Sequence, residues 1–270
     1  LELLSALEQA DQVVIQDGDV YNLIFPLLPS EYTINPGEHC IEYDSNHFWS
    51  RLYYYWWYHY WSYLDTTEEA AFTQGKAVLE MPFSALDSGT YELWLKLYQG
   101  PRGTNLKVRV DEMEAGSVDT KLPNELGFQW VNLSSSLHLE SGRHTVSIES
   151  DGEGENVVAE IAIVPGGLVE QTKNNVDSLL HDKEVMLILE AEKAVEERCS
   201  DFGVEASQEL TTISNLSDWL AYTIYAPTGG EYSLALRAYS NTEAVVDIKV
   251  DNELSQLKLN ALEDFGWYDV

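Results

Sequence analysis

A chain of 270 residues with 46 Asp and Glu against 15 Lys and Arg carries a formal charge of −31, spread along its length rather than gathered in a tail. So few cations cannot neutralise nucleic-acid phosphates, which argues against DNA and RNA as partners; the balance suits a solvated surface facing high salt, divalent cations or neutral ligands. An apolar content of 44% can build a core in each of two domains, and no run reaches the roughly 18 to 20 apolar residues of a membrane span.

The opening stretch, LELLSALEQADQVVIQDGDVYNLIF, reads as a helix, a short strand and then turns. It matches nothing later in the chain, so residues 1–37 form an N-terminal segment, such as the end of an upstream domain. The first residue, Leu1, fits a processed product or an excised segment.

From Phe48 to Tyr63, eleven of sixteen side chains are Phe, Tyr or Trp. As a strand, this segment puts Tyr53, Tyr55, Trp57, His59 and Trp61 on one side and Tyr54, Trp56, Tyr58 and Tyr60 on the other. As a helix it is aromatic all round. Either way its rings need an apolar partner or a ligand. Three readings stay open: packing against another part of the chain, a carbohydrate platform, and a membrane or partner contact. Arg51 is the lone basic neighbour, which weakens the membrane reading.

Self-similarity organises the remainder of the chain. Ser88–Tyr98, SGTYELWLKLY, matches Gly229–Tyr239, GGEYSLALRAY; Leu106–Glu112 matches Val246–Asn252; and Glu125–Leu133, ELGFQWVNL, matches Leu262–Val270, LEDFGWYDV. The third match aligns Phe128 with Phe265 and Trp130 with Trp267. Each block is a turn followed by period-two alternation, so each unit reads as antiparallel strands at short spacing, the pattern of a β-sandwich. The first unit has two more strands, in Gly142–Gly152 and Glu155–Gly167, that the second lacks before Val270. Residues 166–185 between the units read as a linker or a short helix.

In the second unit LILEAEKA (Leu187–Ala194), DWLAYTIYAPTGGEYSLALRAYS (Asp218–Ser240), VDIKVDN and FGW resemble the galactose-binding-like modules of carbohydrate-binding families 6, 35 and 36. The resemblance covers residues 186–270, and residues 38–165 look like a divergent copy. It implies an all-β fold of tandem antiparallel jelly-roll sandwiches after a short α/β N-terminal segment, the second sandwich being incomplete.

The same resemblance implies a structural calcium ion, with Glu42, Asp44 and Glu160 as candidate ligands in the first unit and Glu190 and Glu192 in the second. Alternate carboxylates on one strand face the same side and can converge on a hard cation. It also implies sugar stacking on aromatic rings. The candidates are Trp49, Tyr55, Trp56, Trp57, Trp61, Phe128, Trp130 and Trp267, although for the repeated Phe-x-Trp rings burial is the competing role.

No GxSxG, P-loop or dinucleotide fingerprint occurs, and no carboxylate pair is singled out for catalysis. His39, Cys40, His47 and His59 cluster early in the first unit, without the HExxH or CxxC spacing of a zinc site. The expectation is therefore a non-catalytic, extracellular or cell-surface protein that binds a polysaccharide or glycan. Two alternatives are a self-assembling building block of a surface layer, appendage or adhesin, and the accessory ectodomain of a glycan enzyme. The last is suggested by Trp56-Trp57 with Tyr58, which is similar to the Trp-Trp-Asp-Tyr-Gly motif of oligosaccharyltransferases but lacks its Asp and Gly.

Overall fold

The computed structural model describes residues 2–16, 20–40, 48–50, 70–122, 126–152, 154–189, 196–198, 219–222, 224, 226, 229–251, 253–261 and 264–270. The chain divides into two units, Leu1–Pro227 and Thr228–Val270. In order, the first holds α1 (Glu2–Gln9), β1 (Gln12–Gln16), α2 (Tyr21–Ile24), β2 (Thr33–Ile34), β3 (Trp49–Ser50), β4 (Ala71–Gln74), β5 (Ala77–Ala85), β6 (Gly89–Gln99), β7 (Asn105–Val110), β8 (Met113–Asp119), β9 (Gly127–Leu139), β10 (Gly142–Ser150), β11 (Glu155–Pro165), α3 (Leu168–Leu180), β12 (Glu184–Ile188), β13 (Glu196–Arg198) and β14 (Trp219–Ala221). The second holds β15 (Ala235–Ala238), β16 (Ala244–Val250), β17 (Glu253–Leu259) and β18 (Gly266–Asp269).

Two antiparallel sheets face each other in the first unit, one ordered β5-β10-β7-β8 and the other β3-β4-β11-β6-β9, with β2 also on β11. Strand β5 shows why: Ala77, Leu79, Met81 and Ala85 are buried while Val78, Glu80, Pro82 and Ser84 are exposed. Such alternation gives one face to the core and one to water. Pro82, which has no N–H to donate, is accommodated because β5 is an edge strand. Between the sheets lie Leu93, Leu95 and Leu97 of β6, Leu106, Val108 and Val110 of β7, Val146 and Ile148 of β10, and Ile161 and Ile163 of β11. Each such side chain contributes about 1.5–3 kcal/mol by leaving water.

The β6 sheet is also apolar on its outer face, where Trp94, Trp130, Ala162 and Val164 are buried beneath Val20, Ile24, Phe25, Val169, Val176 and Leu180. Glu92 anchors this layer. Its Oε2 accepts the Trp94 indole N–H at 3.0 Å and its Oε1 accepts the Gly167 N–H at 2.7 Å, at the start of α3. Strands β1 and β12 pair in parallel from Gln12↔Glu184 to Gln16↔Ile188, and Lys183 Nζ donates to the carbonyls of Glu8 and Ala10 at the end of α1. Residues 166–185, read as a linker or a short helix, hold α3. With the N-terminal segment it roofs the sandwich.

At one end of the sandwich the loops are tied by buried polar groups. Thr104 N–H donates to Thr120 Oγ1 at 3.0 Å, Thr120 Oγ1 donates to Asn156 Oδ1 at 2.7 Å, and Asn156 Nδ2 donates to Ser150 Oγ at 3.0 Å. Gly152 is required here, because a Cβ would collide with Thr104 Oγ1.

In the second unit β15 pairs with β18 and β16 with β17. The rungs Leu236↔Tyr268, Arg237↔Trp267 and Ala238↔Gly266 stand where the sequence match maps Leu95↔Val131, Lys96↔Trp130 and Leu97↔Gln129. Both β7–β8 and β16–β17 turn through an Asp at positive φ, 54° at Asp111 and 51° at Asp251.

Asp111 also holds a histidine. His144 Nδ1 lies 2.9 Å from Asp111 Oδ2 and Nε2 lies 2.7 Å from the Glu140 carbonyl. The bonds to Asp111 and then to Glu140 raise the His144 pKa above its ordinary value, while bonds from His144 and the Thr145 N–H lower that of Asp111. The histidine contribution is full below its unfolded pKa and is lost as pH rises through the raised value. The aspartate contribution is full above its unfolded pKa and is lost as pH falls through the lowered value. Asp111→Asn keeps a residue that tolerates positive φ. The stability advantage of the unmodified chain over this variant should be largest between about pH 4 and 6.5 and shrink on either side. Urea denaturation at about pH 3, 5 and 8 measures it, and a constant difference between the last two would contradict the pairing.

Candidate functional site

Strand β3 pairs with β4 through Trp49↔Phe72 and Ser50↔Ala71 at the edge of the five-strand path. Trp49 and Ser50, near the start of the aromatic segment, thus lie at the edge of this sheet, and the segment from residue 51 on lies outside the described residues. On the adjacent outer face Ala70, Phe72, Val157 and Ala159 are buried, and Tyr98 and Phe128 are half-buried against them. Tyr98 and Phe128 are cross-strand partners whose rings meet edge to face, 5.7 Å apart at 73°.

The outer face thus has three zones. Trp94 and Trp130 lie under the roof, where Phe25 stacks on Trp130 with centroids 3.6 Å apart and planes at 15°, and meets Trp94 edge-on at 5.4 Å. Next come Lys96 and Glu160, opposite each other on β6 and β11. Beyond them the Tyr98–Phe128 pair approaches the rim where the aromatic segment departs.

Of the candidate sugar-stacking residues, Tyr55, Trp56, Trp57 and Trp61 lie outside the described residues, and Trp49 is described by its place in β3. Phe128 is half-buried. Trp130 is 7% exposed, with Phe25 stacked on it, the burial that was the competing role for this ring. Trp267 is 72% exposed, although burial was the competing role for both Phe-x-Trp pairs. Tyr98 belongs with these residues and was passed over; its match to Tyr239 and its period-two spacing from Trp94 were the available signals.

Of the candidate calcium ligands, Glu42, Asp44, Glu190 and Glu192 lie outside the described residues. Glu160 stands in register with Lys96 of β6. Among the described residues no group of three or more His, Cys, Asp or Glu is placed to hold a metal ion. Cys40 donates its Sγ–H to the Pro36 carbonyl at 3.4 Å, and burial pushes its thiol up to about 12. It is protonated at neutral pH, and metals bind the thiolate.

No protein-family model and no curated protein matches the chain. Among solved structures, it is similar to a ruminal GH26 endo-β-1,4-mannanase, at 14% identity and TM-score 0.35, over 50% of this chain and 26% of that one. It is also similar to a family 35 carbohydrate-binding module from an environmental isolate, at 17% identity and TM-score 0.32, over 39% and 79%. A third is the carbohydrate-binding module CBM6cm-2 of Cellvibrio mixtus lichenase 5A in complex with cellotriose, at 13% identity and TM-score 0.34, over 49% and 95%. The chain thus spans about a quarter of the mannanase. Among the described residues no helix is long and apolar enough to cross a membrane.

Two outcomes are expected. Phe25→Ala should lower stability by about 3–5 kcal/mol, as Phe-to-Ala truncations in cores do, and shift Trp emission to the red as Trp94 and Trp130 meet water; calorimetry and fluorescence read both. In a Cys199→Ser background, Cys40 should react with a thiol-specific reagent at least about tenfold more slowly when folded than in denaturant, because the nucleophile is the thiolate.

Proposed function

We propose that this chain is a non-catalytic carbohydrate-binding protein of the cell exterior or cell surface, built from β-sandwich units of one design. The observation that carries the reading is the half-buried Tyr98–Phe128 pair, packed on Phe72 of β4, the strand that pairs with Trp49 and Ser50 at the start of the aromatic segment. Aromatic rings in such a place suit the C–H face of a pyranose, while phenol hydroxyls and indole N–H groups suit its hydroxyls. A net charge of −31 disfavours anionic partners and leaves neutral polyols acceptable. The order of strand motifs in residues 186–270 supports the same class. Calcium enters as a structural ion held by Glu42, Asp44 and Glu160, with Glu190 and Glu192 as the corresponding pair in the second repeat.

A glycan array followed by titration calorimetry tests the reading. Trp56→Ala, Trp57→Ala and Phe128→Ala should each weaken binding about tenfold or more, equivalent to about 1.4 kcal/mol or more. Unchanged affinity in all three would remove the rim as the site. Absence of glycan binding, together with assembly into ordered polymers, would replace the reading with that of a surface-layer building block. Removing calcium with a chelator should lower the melting temperature, and Asp44→Asn should abolish that effect.

A further inference from the structure

We propose that β1 is the edge along which two copies of this chain associate, Gln12–Gln16 pairing antiparallel with the same stretch of a second copy about a two-fold axis at Val14. The inference is independent of the carbohydrate-binding reading. Strands β1 and β12 form a two-stranded parallel sheet, and among the described residues no third strand joins it. Parallel sheets are ordinarily covered on both faces, and a lone pair of strands is marginal by itself. Here Val13 and Ile15 are buried on the core side, while Val14, Met186 and Ile188 face outward at 48%, 44% and 38% exposure.

The edges of the sandwich are guarded and this one is not. Edge strands invite pairing with other chains unless they are very short, bulged, or interrupted by Pro or charge. Strand β5 carries Glu80 and Pro82, β8 and β9 carry bulges, and β3 is two residues long. Strand β1 reads Gln-Val-Val-Ile-Gln, with no Pro, no charged residue and no register shift against β12. Lys183, just before β12, is occupied by the Glu8 and Ala10 carbonyls.

A second copy is selected because the strand is its own complement. Read backwards, it is Gln-Ile-Val-Val-Gln. Antiparallel pairing about Val14 sets Val14 opposite Val14, Val13 opposite Ile15 and Gln12 opposite Gln16, so β-branched residues meet one another and no charges meet. The period of two keeps Val13 and Ile15 on the core side in both copies. Strand β12 offers no such match, since the same operation sets Glu184 opposite Ile188. A contact of this symmetry closes on itself and gives a dimer rather than a fibre.

Area and charge set its strength. A five-residue strand is about 17 Å long, and a pairing of that length buries well under the roughly 800 Å² per partner of a standard interface. The chain charge of −31 opposes approach, with Asp11 and Asp17 on either side of the strand in sequence. The dimer is therefore weak, and it tightens as salt shortens the screening length from about 10 Å at 0.1 M to about 3 Å at 1 M. Docking of a basic protein on the same edge has the opposite salt dependence.

Sedimentation equilibrium of the full chain, from about 10 to 300 μM in about 0.1 M and 1 M sodium chloride, tests the pairing. The parent should shift from one chain towards two with concentration, at least about threefold more tightly in the higher salt. Val14 is exposed, so Val14→Lys should fold as the parent does, checked by circular dichroism, and weaken dimerisation at least about tenfold by setting two ammonium groups across the axis. Met186→Lys, one strand away from the axis, should weaken it far less; equal losses would mean that the outer faces pack on each other and would overturn the edge pairing. Oxidation of Val14→Cys should give a disulfide-linked dimer, because opposed Cα atoms of an antiparallel pair lie about 4.5–5.5 Å apart, inside the disulfide range. The parent and Met186→Cys, treated alike, should give much less. A parent that stays a single chain at about 300 μM in about 1 M salt overturns the proposal, as does a yield from Val14→Cys no higher than the parent's.

Discussion

Strand β6 must be covered on both sides, and the architecture of the first unit follows from that constraint. Its inner leucines, Leu93, Leu95 and Leu97, call for the opposing sheet, and its outer Trp94, with Trp130 beside it on β9, calls for a second layer. Aromatic rings of this size on a sheet face cannot be left to water without loss of stability and risk of association. The N-terminal segment and α3 meet that need together, and the β1–β12 ladder and Lys183 join them to each other.

Once the roof is in place, it decides which aromatic residues remain available for recognition. Trp130 lies beneath Phe25, while Tyr98 and Phe128, one step beyond the Lys96–Glu160 pair, stay half-buried at the rim. The Lys96–Glu160 register divides the packing under the roof from the Tyr98–Phe128 cluster. Two neighbouring Phe-x-Trp rings on one face of one strand have therefore taken different roles, because the roof ends between them.

Among the described residues, the second unit repeats the ladder with no ring stacked on its tryptophan. The rung Arg237↔Trp267 has the register of Lys96↔Trp130, but the first indole is exposed and the second is buried. Register is set by hydrogen bonds and the side-chain period, which are local to two strands; exposure is set by whatever third element lies across them. The same pairing can thus carry a buried indole in one place and an exposed one in another.

From the sequence alone came the antiparallel sandwich and the N-terminal helix and strand, whereas residues 166–185 read as a linker or a short helix. All rest on short-range periodicity and turn residues, which act within a few positions along the chain. The sequence also placed Phe128 and Trp130, and Phe265 and Trp267, on common faces, because period two allows nothing else in an extended strand. It could not say that Phe25 lies on Trp130, that Glu160 faces Lys96, or that β1 pairs with β12, since these contacts join residues tens to more than a hundred positions apart. Which aromatic ring is core and which is surface was decided by the tertiary structure, because burial depends on what packs above a strand and not on the strand's own pattern.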